Sequence, residues 1–143
     1  MAATFTASGY TASPRSQPSG ALTTQTFNFT YGGRSASVSD VIYIGRLANG
    51  VKVLDVMVSG KPGSDAACTW KLGTPANDVL FGPAFSISTS IVKYLSVASG
   101  FPKTISLSAD AEGLLYQPVI LTKSTGTSTA TGSIQVTFLL QLP

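Results

Sequence analysis

Apolar and polar residues alternate with a period of two along much of this 143-residue chain, and this alternation constrains the fold most strongly. It is clearest near the C-terminus, where Ile134, Val136, Phe138, Leu140 and Leu142 alternate with Ser133, Gln135, Thr137 and Gln141. No segment sustains the helical period of 3.6 residues, and residues 91–97 (IVKYLSV) are the one helical candidate. About eight strands separated by turn signals predict an all-β chain forming a single jelly-roll-like β-sandwich.

Residues 40–74 contain three of these predicted strands. The first, residues 41–47, is apolar on both faces, as in a central strand covered on two sides. It is joined to the second at Asn49-Gly50, a signal for a type I′ hairpin because both central residues need positive φ. Strict alternation assigns the second strand two faces: Leu54, Val56 and Val58 on one, and Val51, Val53, Asp55 and Met57 on the other.

The third strand of this stretch carries Ala66, Cys68, Trp70 and Leu72 on one face, and Trp70 is predicted to be in the core. Farther along the chain, Pro118 interrupts a predicted strand at residues 114–121. Because proline donates no ladder hydrogen bond, it predicts a sheet edge or a bulge there.

The sequence divides into an extended N-terminal arm at residues 1–20 and a β-sandwich domain at residues 21–143. The arm contains Pro14 and Pro18 among small residues, a composition that favours extended backbone. We expect Phe5, Tyr10 and Arg15 to bind a partner, and removal of residues 2–20 to leave the melting temperature of the free chain unchanged. A frayed terminus without a role is the alternative.

Charge and hydropathy restrict the classes of partner. Charged residues make up 10% of the chain, against about 25% in an ordinary soluble domain. Such a weakly charged surface is poorly protected against self-association, which favours a protein covered within an assembly. The net charge is +3, but the basic residues are scattered singly, which argues against nucleic-acid binding. No apolar run is long enough to predict a membrane span, and the N-terminus does not resemble a signal peptide.

The chain lacks the residues of common catalytic and metal sites. It has no histidine and a single cysteine, Cys68, so neither a Ser-His-Asp triad nor a zinc site is expected. The acidic pair Asp110 and Glu112 fits a solvated turn better than a glycosidase pair, and it lacks the spacing of a calcium loop. The sequence therefore predicts no catalytic residue, no metal and no cofactor.

The segment DVIYIGRLANGVKVLDVMVSG and the following strand ending in KLGT resemble small head-decoration proteins of tailed bacteriophages. The resemblance covers residues 40–108 and rests on Val53-Leu54-Asp55-Val56 and Leu72-Gly73-Thr74, with Thr74 where an acidic residue is more usual. It implies a non-enzymatic virion protein, made in the host cytoplasm, that binds the major capsid protein on the outside of an assembled head. Self-association is also expected, with a homotrimer ahead of a dimer because threefold positions join several capsomers.

Other functions fit the same composition. A phage fibre-base protein or tail adaptor is also a particle-bound structural protein. A carbohydrate-binding β-sandwich module belongs to a different class and needs exposed aromatic residues on a concave face. An enzyme is the weakest alternative, because the residues of the common active sites are missing.

Overall fold

The computed structural model describes residues 4–7, 10, 20–30, 37–60, 69–86, 93–95, 100–106, 116–126 and 133–143. Within these ranges the protein forms ten strands and no α-helix. The strands are β1 (Thr4–Thr6), β2 (Leu22–Thr30), β3 (Val41–Ala48), β4 (Lys52–Gly60), β5 (Thr69–Gly73), β6 (Phe85–Ser86), β7 (Lys93–Tyr94), β8 (Lys103–Thr104), β9 (Tyr116–Thr125) and β10 (Ser133–Gln141).

The strands form two sheets packed face to face. The first sheet has the order β1-β3-β9-β5-β6, and the second has the order β2-β10-β4-β7, with β8 also paired to β4. Strands β1 to β5 lie alternately in the first and second sheets, so each connection between them crosses the sandwich. The predicted all-β sandwich is therefore confirmed.

The core lies between the sheets and contains a cluster of aromatic rings. The ring of Phe138 in β10 lies 5.8 Å from that of Phe27 and 5.6 Å from that of Phe81, both edge to face. Ile134, Val136, Phe138 and Leu140 are all buried, so the C-terminal stripe faces the core as its alternation predicted. Strand β10 lies between β2 and β4 and pairs with both over most of its length.

The predicted hairpin at Asn49-Gly50 is wrong. Strand β3 pairs with β1 and β9, whereas β4 pairs with β10, β7 and β8, so the turn carries the chain from one sheet to the other. The Val51 N–H donates to the Ala48 carbonyl at 3.4 Å, and of the two central residues only Gly50 has a positive φ, 84°. This is the backbone pattern of a type II turn. Hairpins favour type I′ and II′ turns because the twist of these turns matches the twist of the two paired strands, and β3 and β4 are not paired with each other.

Two bulges change the faces predicted for β3 and β4. In β3, Tyr43 pairs with Ile120 and Gly45 with Val119, so Ile44 is an extra residue. Both Ile44 and Leu47 are buried as a result, although strict alternation would place them on opposite faces. The sequence pattern predicted a strand with apolar side chains on both faces. Because of the bulge, some of these side chains point to the same core instead of to opposite faces.

Strand β4 has the same irregularity. Its pairing with β10 shifts between Leu139, opposite Asp55, and Leu140, opposite Val53, so Leu54 is the extra residue. Val53 and Val56 are therefore both fully buried, which corrects the assignment of these valines to opposite faces. The Asp55 carboxylate accepts a hydrogen bond from the Val56 N–H at 2.7 Å, which satisfies a backbone donor at the bulge.

Pro118 lies in a part of β9 where the described residues provide a neighbouring strand on one side only. It pairs with Arg46 of β3, but the ladder between β9 and β5 ends at Ile120. The expected edge is therefore local, in a strand that is otherwise internal. The helical candidate at residues 91–97 is wrong at Lys93 and Tyr94, which form β7 and pair with β4, whereas Leu95 has a 3₁₀-helical conformation.

Candidate docking surfaces

Phe5 and Tyr10, two of the residues expected to bind a partner, are buried against their own chain. Phe5 lies in β1, which pairs in parallel with β3, and its ring packs edge to face on Phe29 at 5.9 Å. Tyr10 packs edge to face on Tyr43 at 5.7 Å. These contacts join described parts of residues 1–20 to the sandwich, whereas the sequence placed this stretch in a separate arm. The partner-binding role of both residues stays a prediction.

Several other sequence expectations fall outside the described residues. Arg15, the third residue expected to bind a partner, is one of them, and so are Cys68, Asp110 and Glu112. Where the structure does describe the chain, no group of three or more His, Cys, Asp or Glu residues is placed to hold a metal ion. Nor does any helix in those ranges have the length and hydropathy to cross a membrane.

The outer face of the second sheet is polar with very few charges. It consists of the side chains of β2, β10 and β4 that point away from the core, and we call it the threonine face. Its residues are Leu22, Thr24, Thr26, Asn28, Thr30, Ser133, Gln135, Thr137, Leu139, Gln141, Lys52, Asp55, Met57 and Ser59.

The register places hydroxyl and amide groups at the centre of the threonine face. Thr137 lies between Thr26 and Met57, and the Thr26 and Thr137 hydroxyls share a hydrogen bond of 3.0 Å. Leu139 lies beside Thr24 and Asp55 and is 37% exposed, which is unusual for a leucine on a central strand. Depletion of charge with some exposed apolar area is typical of the centre of a protein–protein interface.

The outer face of the first sheet is aromatic instead. Tyr43 and Ile120 are directly opposite across β3 and β9, and Tyr10 covers Tyr43. The Arg46 guanidinium carbon lies 4.5 Å from the centroid of the Tyr116 ring, within the range of a cation–π contact. We call these five residues the tyrosine face. Ile120 is only 4% exposed although it lies outside the core cluster, so part of this face is already covered by the chain itself.

Lys123 of β9 provides a buried cation. The Lys123 ammonium lies 4.6 Å from the centroid of the Trp70 ring, and both side chains are almost fully buried. The backbone of Lys123 bonds to Ser39 and Asp40, while the Asp40 carboxylate accepts from the Ser37 N–H at 2.7 Å. These contacts tie β9 to the residues before β3, so we interpret the cluster as structural.

The sequence analysis missed the two outer faces and the buried lysine. The signal for Lys123 was present, because the period of two places it on the same face of its strand as Val119 and Leu121. The tyrosine face carried no such signal, because its residues come from the N-terminal segment, β3 and β9 and meet only through the pairing of β3 with β9.

The comparisons with known proteins give one likeness in three dimensions. No protein-family model matches this sequence, and no curated protein matches it. A chain of the solved structure described as "Cyanophage Pam1 capsid asymmetric unit" is similar to it with a TM-score of 0.55 and 18% sequence identity. The similarity covers 92% of this chain and 92% of that chain. At this identity the likeness concerns the fold, which the two chains share over nearly their whole lengths.

Proposed function

We propose that this protein is a non-enzymatic structural protein of a bacteriophage virion, and that it binds the outer surface of an assembled head and stabilises it. The observation that carries the proposal is the fold shared, over 92% of both chains, with a chain of a cyanophage capsid asymmetric unit. Fold alone does not determine function. The assignment of a head-binding surface is therefore argued from the outer faces of the protein.

The threonine face is the surface that we assign to head binding. A face of hydroxyl and amide groups can lie flat on a capsid and bury few charges, so the desolvation cost of binding stays small. Lys52 and Asp55 are the charged residues of this face, and both lie on β4. The basic excess of the whole chain, +3, would favour approach to an acidic capsid surface without requiring a salt bridge at the centre of the contact.

Stabilisation of the head would follow from mass action. A protein that binds the assembled shell and not its separated subunits shifts disassembly by RT ln(1 + [L]/Kd), about 2.7 kcal/mol per site at a hundredfold excess over Kd. No covalent bond is made or broken in this mechanism. The partner is the major capsid protein, and the location is the exterior of the virion.

Co-sedimentation with purified heads tests the proposal. We expect the protein to pellet with intact heads in a saturable manner and to raise the temperature at which they release DNA. Separated tails and dissociated capsid subunits are the controls, because a fibre-base protein or a tail adaptor would bind tails instead. Saturable binding to tails alone, or to neither particle, would refute head binding.

A further inference from the structure

Strand β2 is a long edge of the second sheet within the described part of the chain. It has nine residues, LTTQTFNFT, without charge, proline or glycine. All nine pair with β10 in one unshifted register, and within the described ranges β10 is its one partner strand. The outer strands β1, β6 and β7 have only two or three residues each. Natural sheets commonly prevent association at an edge by a short edge strand or by charged side chains on that strand. Strand β2 has neither of these features.

The direction of the backbone groups of β2 follows from the hydrogen bonds at its start. The Leu142 N–H donates to the Ala21 carbonyl at 3.0 Å, which directs the backbone of Ala21 toward β10. In an antiparallel pair the direction alternates residue by residue, so odd-numbered residues of β2 bond to β10. The N–H and C=O groups of the even-numbered residues, from Leu22 to Thr30, therefore point away from β10, on the side where no described strand pairs with β2.

We propose that β2 pairs with β2 of a second copy of this chain, antiparallel about a twofold axis at Thr26. This register brings the outward backbone groups of all five even-numbered residues opposite one another, whereas a shift to either side leaves some of them without a partner. It places Thr26 opposite Thr26, Thr24 opposite Asn28, and Leu22 opposite Thr30, with no like charges facing each other.

The pairing also fits the side chains on both faces. Directly opposed residues of an antiparallel pair point their side chains to the same face of the sheet. In the dimer, Phe27 and Phe29 of both copies therefore remain on the core side, and the threonines of both copies remain on the outer face. Leu22, 65% exposed in the single chain, becomes partly covered by its partner strand. The threonine faces of the two copies then form one continuous surface.

A contact of this kind closes with two copies. A twofold interface uses the same patch on both partners and leaves no open patch for a third. The edge geometry therefore favours a dimer, whereas the symmetry argument from the sequence placed a homotrimer first. The contact forms in the free protein, so its test does not depend on the binding of heads.

A disulfide trap tests the register. Directly opposed Cα atoms at the centre of the pairing lie about 5.5 Å apart, within the roughly 4.4–6.8 Å that a disulfide spans. In a Cys68→Ser background, Thr26→Cys should form a covalent dimer under mild oxidation. Gln135→Cys is the matched control, since it adds a thiol to the same face but on the internal strand β10, and it should stay monomeric on denaturing gels. Equal cross-linking of both variants, or of neither, would overturn the proposed register.

Light scattering with a charge variant tests the edge itself. The unmodified protein should be a dimer at high micromolar concentration, and Thr26→Lys should weaken dimerisation at least tenfold because two ammonium groups would face each other. Gln135→Lys adds the same charge one strand inward and should remain dimeric. Thermal unfolding of each variant shows that it is folded. A monomeric or trimeric parent protein, or a Thr26→Lys variant that still dimerises normally, would contradict β2 pairing.

Discussion

Gly45 of β3 packs against the aromatic ring of Phe27 in β2, so closely that a Cβ atom at position 45 would overlap the ring carbons. This contact joins the two sheets just after the β3 bulge, where Ile44 is the extra residue. The absence of a side chain at position 45 thus allows Phe27 to reach the core and meet Phe138 at 5.8 Å.

We expect Gly45→Ala to destabilise the protein by about 1–3 kcal/mol, the usual cost of overpacking a core. Phe27→Leu combined with Gly45→Ala should cost less than the sum of the two single changes, because the smaller side chain relieves the overlap. Urea unfolding of the single and double variants measures the coupling. Additive free energies would show that this contact does not limit position 45.

Phe138→Ala should destabilise the fold by about 3–5 kcal/mol, as truncation of a buried aromatic residue usually does. Its ring contacts both Phe27 and Phe81, so the cavity would open at the centre of the aromatic cluster. Leu139→Ala is the matched control on the opposite face of the same strand and should change stability much less. Thermal and chemical unfolding compare the two, and a loss for Phe138→Ala as small as the one expected for Leu139→Ala would contradict the role of this stripe in the core.

We expect substitutions at the two central residues of the turn between β3 and β4 to change the free energy of unfolding by different amounts. Gly50→Ala should cost about 1–2 kcal/mol, because a residue with a side chain is strained at the φ of 84° found there. Asn49→Ala should stay within about 0.5 kcal/mol, since Asn49 is exposed and does not have a positive φ. Comparable losses at both positions in urea unfolding would instead support the type I′ hairpin.

Phe5→Ala should lower the stability of the free chain by about 1.5–3 kcal/mol, the value of burying an aromatic side chain. The ring is 9% exposed and packs on Phe29, and β1 adds a parallel ladder to β3. The same reasoning predicts that deletion of residues 2–20 lowers the melting temperature, in contrast to the unchanged value expected from the sequence. Calorimetry of the free protein, without heads, distinguishes the two, and an unchanged melting temperature would mean that β1 contributes nothing in solution.

Leu139→Lys should weaken head binding at least tenfold, because it introduces a charge at the centre of the threonine face. Val79→Lys is the matched control: Val79 is similarly exposed, at 42% against 37% for Leu139, but lies in the turn after β5. It should bind heads normally. Co-sedimentation isotherms measure both, and equal affinities would remove the threonine face as the head-binding surface.

Strands without bulges were predictable from the sequence. In β2 and β10 the alternation holds from end to end, so the sequence pattern correctly predicts that Phe27, Phe29 and Val136 lie in the core. In β3 and β4 one extra residue shifts the faces, and nothing in the local pattern marks its position. The valines at 53 and 56 share a face because the register with β10 changes there, and that register depends on residues far along the chain.

The candidate surfaces were beyond sequence reasoning for the same reason. Thr26 and Thr137 are 111 positions apart and meet only when β2 pairs with β10. Phe5 and Tyr10 stand in a stretch of small polar residues and prolines, where local composition favours an arm, yet both are buried by packing on Phe29 and Tyr43.

The fold class and most core residues of the regular strands could be derived from the residue pattern, because side-chain direction in a strand follows from chain geometry alone. Strand neighbours, the crossing of the Asn49-Gly50 turn between sheets, and the place of β2 at the edge of the described strands of its sheet became known from the three-dimensional structure. These features depend on hydrogen bonds and packing between residues distant in sequence, whose free energies no local pattern of residues encodes.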